Sequence, residues 1–146
     1  KVLQTLSEAL QLHLAHRPSD EVQVWGYRNV WHRFHPAEAN IYVPVSMNSL
    51  ATLRAAFRTC FGSQRSASFP SHEYDGPFSH HAQKIMVDQY AMIKTCLGRD
   101  FFYGNPSPRL RASRGMNMLR SMSPDEFFAY AWALRESTEA VTCVAD

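Results

Sequence analysis

Four arginines follow one another in the last third of the chain without an acidic residue between them. The acid-free interval between Asp100 and Asp125 contains Arg109, Arg111, Arg114 and Arg120. A guanidinium group binds a phosphate or a carboxylate through two parallel hydrogen bonds. Phe102 and Tyr103 lie just before these arginines, and aromatic rings stack on the bases of RNA. These six residues are therefore predicted to contact RNA or the acidic groups of a partner protein.

Two cysteines and two histidines are the candidates for nucleophilic catalysis. Cys60 or Cys96 would be the nucleophile, and His72 or His80 would be the base that accepts its proton. Both cysteines are predicted to stand near the C-terminal ends of helices, where the helix dipole disfavours a thiolate. The serines lie outside any nucleophile-elbow pattern, and no glycine-rich phosphate loop is present. The sequence therefore predicts a protein without enzymatic activity.

The seven histidines of the chain raise the question of a metal site. Six of them form three close pairs, which are His13 with His16, His32 with His35, and His80 with His81. Zinc needs about four ligands in a tetrahedral shell. Neither a His-Glu-x-x-His motif nor a Cys-x-x-Cys pair accompanies the histidines. We predict no metal ion and no cofactor.

The composition indicates one globular domain that covers residues 1–146. Apolar residues make up 45% of the chain, and the net charge of +2 does not by itself favour a nucleic acid or a membrane. No apolar run approaches the roughly 18–20 residues of a membrane-spanning helix. The three cysteines are too few and too unevenly spaced for a disulfide framework, so we expect reduced and mostly buried thiols.

Apolar periodicity and end signals predict four substantial helices. The first covers residues 1–16, and its apolar stripe consists of Leu3, Leu6, Leu10 and Leu14. The second covers residues 46–61, with Ser46 or Asn48 as its cap and Gly62 in the left-handed conformation that closes a helix. The third begins near Ser79 and ends at Gly98.

The fourth helix has the strongest start signal. Ser123 and Glu126 form a capping box, and Pro124 occupies the first helical position. A further short helix is predicted over residues 115–120. Residues 21–27 suit either a strand or a helix, and residues 41–45 suit extended chain rather than a central strand because they include Pro44. The tryptophans are expected in the core, and they are Trp25, Trp31 and Trp132.

The second and third helices end alike. Residues 55–62 and 91–98 both follow the pattern Ala-x-apolar-base-Thr-Cys-apolar-Gly, and they lie 36 residues apart. Such a spacing is typical of helical-hairpin repeats. Residues 88–98, and more loosely 49–60, resemble the first helix of a pentatricopeptide repeat, in which a Tyr opens the helix and a Thr-Cys step precedes a small residue. The resemblance implies an organellar location and either RNA binding or a scaffold role.

These observations predict a mainly α, compact bundle of repeat-like helical hairpins with little or no sheet. The expected function is that of a non-catalytic structural subunit of a mitochondrial complex, such as the ATP synthase or a respiratory complex. It would bind other protein subunits through its helical faces. A leader removed on import would leave a chain that begins, like this one, at Lys1.

Two alternatives stay open. One is an RNA-binding subunit of a mitochondrial ribosome or of an RNA-processing particle. The other is a viral coat protein, in which residues 39–45 form a strand that runs into the following helix.

Overall fold

The protein combines helices with a β-sheet. A computed structural model describes residues 2–27, 34–65 and 76–143, and in these residues six α-helices, three strands and a short 3-10 helix are formed. The helices are α1 (Val2–His16), α2 (Met47–Cys60), α3 (Phe78–Leu97), α4 (Arg99–Tyr103), α5 (Pro108–Arg111) and α6 (Pro124–Cys143). The strands are β1 (Val24–Tyr27), β2 (Ile41–Ser46) and β3 (Ser113–Met122). The predicted helical bundle with little or no sheet is therefore wrong, and the fold is mixed α and β.

The chain divides into two compact units. Unit 1 consists of Lys1–Gly26 and Ser121–Asp146, and unit 2 consists of Tyr27–Arg120. In unit 1, α1 packs against α6. The start of α6 is the predicted capping box, because the Ser123 amide donates to Glu126 Oε2 at 2.9 Å and the Glu126 amide donates to Ser123 Oγ at 3.2 Å. Two backbone amides at the N-terminal end of α6 are thus satisfied by side chains.

The three strands form one sheet in the order β1-β3-β2. Strand β2 pairs with β3 in antiparallel fashion, with Ile41 opposite Leu119 and Val45 opposite Gly115. Pro44 belongs to β2, which lies at the edge of the sheet. An edge strand tolerates proline because its outer amides need no partner. The prediction that residues 41–45 would not form a central strand holds, although they do form a strand.

The predicted short helix over residues 115–120 is wrong, because these residues belong to β3. The strand occupies the middle position of the sheet, and Gly115, Met116 and Met118 are buried. Its residues are mostly methionine, leucine, arginine and serine, which carry no strong preference for a strand. Pairing with β2 and burial of the methionines, which are tertiary effects, therefore override the local preference.

One hydrophobic core holds unit 2 together. It contains Phe34, Ala39, Tyr90, Ile93, Phe102, Met116 and Met118, and the half-buried Leu110 packs against it. The ring of Phe102 is fully buried, and it meets the ring of Tyr90 edge-on with centroids 4.9 Å apart. Edge-on geometry is favourable for aromatic pairs. The core thus joins α3, α4 and β3.

The two similar helix ends share their local bonding. Thr59 Oγ1 donates to the carbonyl of Ala55, and Thr95 Oγ1 donates to the carbonyl of Ala91, each at 2.9 Å. The glycines that follow these two helices connect to different structures. Gly98 has a φ of +84° and joins α3 directly to α4, whereas Gly62 opens the 3-10 helix Gly62–Gln64.

The prediction of a left-handed Gly62 is therefore wrong, because among the described residues Gly98 is the one glycine with a positive φ. Residues after Gly98 turn back at once into α4, and only glycine adopts such a backbone readily. The conformation at Gly98 thus determines where α4 lies relative to α3.

Several side chains expected in the core are instead exposed. Trp25 and Trp132 are both more than half exposed, and Trp31 lies outside the described residues. Cys60 and Cys96 are also exposed, so the expectation of buried thiols is wrong for these two residues. Helix α2 buries Leu50 alone, while Leu53 and Phe61 stay accessible. Residue type and apolar periodicity indicate which side chains favour burial, but they do not show whether another element covers them.

We expect alanine to be tolerated at Gly62 and costly at Gly98. The Gly98→Ala variant should lose about 1–3 kcal/mol of unfolding free energy because its backbone conformation is strained for any side chain. Gly62→Ala is the matched control, since a Cβ there meets no atom within 4 Å. Urea unfolding of both variants measures the difference. Equal unfolding midpoints would show that Gly98 is not under such a constraint.

Candidate functional site

The six predicted contact residues lie on three consecutive elements of unit 2. Phe102 and Tyr103 end α4, Arg109 and Arg111 belong to α5, and Arg114 and Arg120 belong to β3. The structure does not bring all six onto one accessible surface. Phe102 is fully buried in the core, so its ring is not available to a base or to a partner. Arg120 is half-buried, and its Nη1 donates to the carbonyl of Glu38 at 3.4 Å.

Two of the arginines donate hydrogen bonds to backbone carbonyls in the segment that connects α4 to β3. Arg111 Nη1 donates to the carbonyls of Asn105 and Pro106, at 2.6 and 2.9 Å. Arg114 Nη1 donates to the carbonyls of Ser113 and Arg111, at 2.6 and 3.2 Å. These carbonyl partners carry no net charge, so both guanidinium groups keep their positive charge for an external anion. They therefore have a structural role and can still attract an anion.

Tyr103 is surrounded by three cations. Lys94 Nζ lies 3.3 Å from its hydroxyl oxygen and 4.9 Å from its ring centroid. The guanidinium carbons of Arg99 and Arg114 lie 5.1 and 5.9 Å from the same centroid. Distances within about 6 Å of a ring are in the range of cation–π attraction. We call these four residues the Tyr103 cluster.

The conformation of Gly98 explains why the Tyr103 cluster forms. Lys94 stands in the last turn of α3, while Arg99 and Tyr103 stand at the two ends of α4. Gly98 reverses the chain between them, so α4 returns Tyr103 to the side of Lys94. Tyr103 and Arg114 were among the residues predicted from the sequence, whereas Lys94 and Arg99 were not. The sequence pattern does not show that residues at the end of α3 lie close to residues of α4.

The cations shift the acidity of Tyr103. The hydrogen bond from Lys94, followed by the charge of Lys94, lowers the pKa of the Tyr103 hydroxyl below the ordinary value for tyrosine. Desolvation acts in the opposite direction, and the charges of Arg114 and Arg99 add smaller contributions that lower the pKa. Each cation favours the phenolate over the neutral phenol. The cluster is thus a site of concentrated positive potential around an exposed aromatic ring.

A second candidate surface lies in unit 1. None of the residues 2–16 that the structure describes in α1 is buried. The face of α1 that lies across a shallow groove from α6 is polar, with Gln4, Ser7, Glu8 and Gln11. The leucine stripe lies on a different side of the helix, where Leu3 and Leu6 are exposed and Leu10 and Leu14 are half-buried.

Helix α6 exposes large apolar side chains as well. Tyr130, Trp132 and Leu134 are each more than half exposed. Tyr130 and Leu134 are four residues apart and share one face of α6, whereas Trp132 lies on another face. Contiguous exposed apolar side chains on a monomer mark interaction sites. We refer to the exposed apolar residues of these two helices, which are Val2, Leu3, Leu6, Leu12, Tyr130, Trp132 and Leu134, as the α1–α6 surface.

The candidate catalytic residues Cys96 and His80 are far apart. His80 stands in the first turn of α3 and Cys96 in its last turn, so the helix axis separates them by roughly 24 Å. That distance excludes a nucleophile–base pair between these two. His72 lies outside the described residues. Within residues 2–27, 34–65 and 76–143, no three side chains of His, Cys, Asp or Glu come together as a metal site.

In the part of the chain that the structure describes, no helix combines the length and the apolarity needed to cross a membrane. No family model, no curated protein and no solved structure matches this chain. The function proposed below therefore rests on the sequence, geometry and charge of the chain itself.

Removal of the Lys94 charge should raise the pKa of Tyr103. We expect the Lys94→Met variant to form the Tyr103 phenolate at a higher pH than the wild type, because the hydrogen bond and the nearest charge that stabilise the phenolate are lost. Ultraviolet absorbance of phenolate during a pH titration measures this shift. Subtraction of the Tyr103→Phe titration isolates the residue from the other tyrosines.

Arg109→Met is the control for this titration, since Arg109 is not one of the cations near the ring. It should leave the Tyr103 titration unchanged. An unchanged titration in Lys94→Met would contradict the role assigned to Lys94.

Proposed function

We propose that this protein is a non-catalytic structural subunit of a large assembly, to which the α1–α6 surface attaches it. The observation that carries the proposal is the exposure of Leu3 and Leu6 on α1 together with Trp132 on α6. Burial of apolar surface contributes about 25 cal/mol per Å². A partner that covers these side chains would supply burial that the described part of unit 1 does not supply. Tryptophan is also enriched among the residues that dominate binding energies at interfaces.

We further propose a mitochondrial assembly, such as the ATP synthase or a respiratory complex. This part of the proposal is supported by the resemblance of residues 88–98 to a pentatricopeptide helix. The viral coat remains the alternative for the same surface, and the direct run of β2 into α2 favours it, because that alternative requires a strand followed by a helix. A coat would contain many copies of this chain, whereas a mitochondrial complex would contain different subunits.

Polar substitutions on the α1–α6 surface should release the protein from its assembly. We expect the double variant Leu6→Gln and Trp132→Gln to lower co-purification by at least about tenfold, which corresponds to 1.4 kcal/mol of binding free energy. The fold should survive, because surface substitutions change stability by about 0.5 kcal/mol or less. Sedimentation of the tagged native protein and mass spectrometry of the particle give the readout.

Leu97→Gln is the matched control for that experiment. Leu97 lies in unit 2 and is 52% exposed, compared with 51% for Leu6. This variant should stay in the particle. Retention of the double variant in the particle would contradict the proposed attachment surface, and a protein that sediments as a lone chain in native extracts would contradict the proposed function.

RNA binding is the second candidate, and the Tyr103 cluster favours it. Three cations within 6 Å of an exposed ring offer both phosphate contacts and a face for stacking. Base–aromatic stacking contributes about 1–3 kcal/mol per base, and phosphate contacts make the affinity fall with salt. Arg109 and Arg111 are also exposed on the neighbouring α5 and would extend the positive charge.

If RNA binds at this cluster, Arg114→Ala should weaken retention of single-stranded RNA and reduce its salt slope by about one. Tyr103→Ala should weaken it about fivefold or more without a change in the slope, because stacking releases no counterions. Fluorescence anisotropy across a salt series measures both quantities. Arg17→Ala, at the end of α1, is the control. If the wild type does not retain single-stranded RNA at low salt, RNA binding is excluded as the second candidate function.

A further inference from the structure

An open groove of about 790 Å³ runs between α2 and α3 in unit 2. Neither the α1–α6 surface nor Tyr103 contributes to it. The α2 residues that line it are Met47, Leu50, Ala51, Arg54, Ala55 and Arg58. The remaining lining residues are His80, Gln83, Lys84 and Val87 of α3, and Arg114 of β3. The spacing within each helix is i, i+3, i+4 and i+7, so each helix presents one continuous face along its length.

The floor of the groove is apolar and well supported. Leu50 is buried at its base, and the exposed side chains of Met47 and Val87 stand on either side. Gln83 Nε2 donates to the carbonyl of Leu50 at 2.8 Å and thereby links α3 to α2 within the groove lining. Ala51 and Ala55 are small, so another backbone can approach α2 closely. The floor would therefore accept a stripe of large apolar side chains.

The rim of the groove is basic. Arg54, Arg58 and Arg114 carry three of its positive charges, and none of the described residues that line the groove is acidic. Lys84 Nζ is paired with Asp88 at 2.9 Å, so the lysine contributes less to the net field. Within the described residues, the guanidinium groups of Arg54 and Arg58 have no ion-pair or hydrogen-bond partner of their own. Charge complementarity therefore requires an acidic occupant.

The shape and the chemistry favour a helix over a strand of RNA. From Met47 to Arg58 the groove follows α2 for roughly 16 Å, about three helical turns. An apolar floor with charged edges is the arrangement in which proteins hold amphipathic helices. Single-stranded RNA instead requires aromatic rings on which bases stack. No phenylalanine, tyrosine or tryptophan is among the described residues that line this groove, and His80 is its single aromatic side chain.

We propose that the α2–α3 groove binds an amphipathic helix of a partner protein whose apolar stripe is flanked by acidic side chains. The apolar stripe lies against Met47, Leu50 and Val87. The acidic flanks face Arg54 and Arg58 on one side and Arg114 on the other. The groove is thus a second protein-binding surface, separate from the α1–α6 surface.

A designed peptide tests this proposal on the full chain. Its sequence places leucines at i, i+3, i+4 and i+7 and glutamates beside that stripe, and fluorescence anisotropy measures its affinity. The double variant Arg54→Glu and Arg58→Glu should weaken binding by more than about tenfold, because juxtaposed like charges are strongly unfavourable. A peptide with lysines in place of the glutamates should bind this variant better than it binds the wild type. That reversal would also show that the variant is folded.

Two controls separate the groove from the other surfaces. Arg17→Glu with Arg109→Glu makes the same change of charge elsewhere and should leave peptide affinity within about twofold of the wild type. The Leu6→Gln and Trp132→Gln variant should bind the peptide normally, so failure of the assembly proposal would not affect this result. The proposal is overturned if the acidic peptide binds the double glutamate variant as well as the wild type. Displacement of the peptide by single-stranded RNA, with the displacement abolished by the same two substitutions, would assign the groove to RNA instead.

Discussion

The arrangement of unit 2 depends on the close approach of β3 to α3 at Gly115. A Cβ at this position would lie 3.3 Å from the Cβ of Met86 and 3.5 Å from the Cβ of Val45. The first distance is tighter than ordinary van der Waals contact, so a larger side chain would push the central strand away from the helix. Because Gly115 has no side chain, Met116 and Met118 reach the core beside Phe102. Close packing of this kind leaves little freedom for neighbouring elements.

Both basic sites of unit 2 follow from that packing. Helix α3 carries Lys94 at one end and one wall of the α2–α3 groove at the other. Arg114 directly precedes Gly115 and is shared, because it lines the groove and also approaches the ring of Tyr103. A change in the position of β3 would therefore alter both sites together. The two surfaces still differ in chemistry, since one offers an aromatic ring and the other an apolar floor.

The candidate site could be predicted only in part. Tyr103 and Arg114 were found because an acid-free run of arginines after aromatic residues is visible in the chain itself. Phe102 and Tyr103 are both aromatic residues that precede the arginines, so the sequence does not distinguish them. In the structure Phe102 faces the core and Tyr103 faces solvent. Lys94, Arg54 and Arg58 could not be assigned, because their roles depend on which helices lie beside them. The leucine stripe of α1 was correctly located, but its exposure depends on the side of the helix that α6 covers.

The sequence alone determined the features that depend on neighbouring residues. The helices α1, α2, α3 and α6 were all predicted, and so were the Ser46 cap and the capping box at Ser123, because these signals act within one or two turns. Tertiary structure decided the conformation of residues 113–122, where pairing with β2 made a strand of a segment with no strong local preference. It also decided the two similar helix ends, which share the Thr-to-carbonyl hydrogen bond yet continue differently after Gly62 and Gly98. Local bonding defines where a helix ends, whereas packing against the rest of the protein defines the direction in which the chain continues.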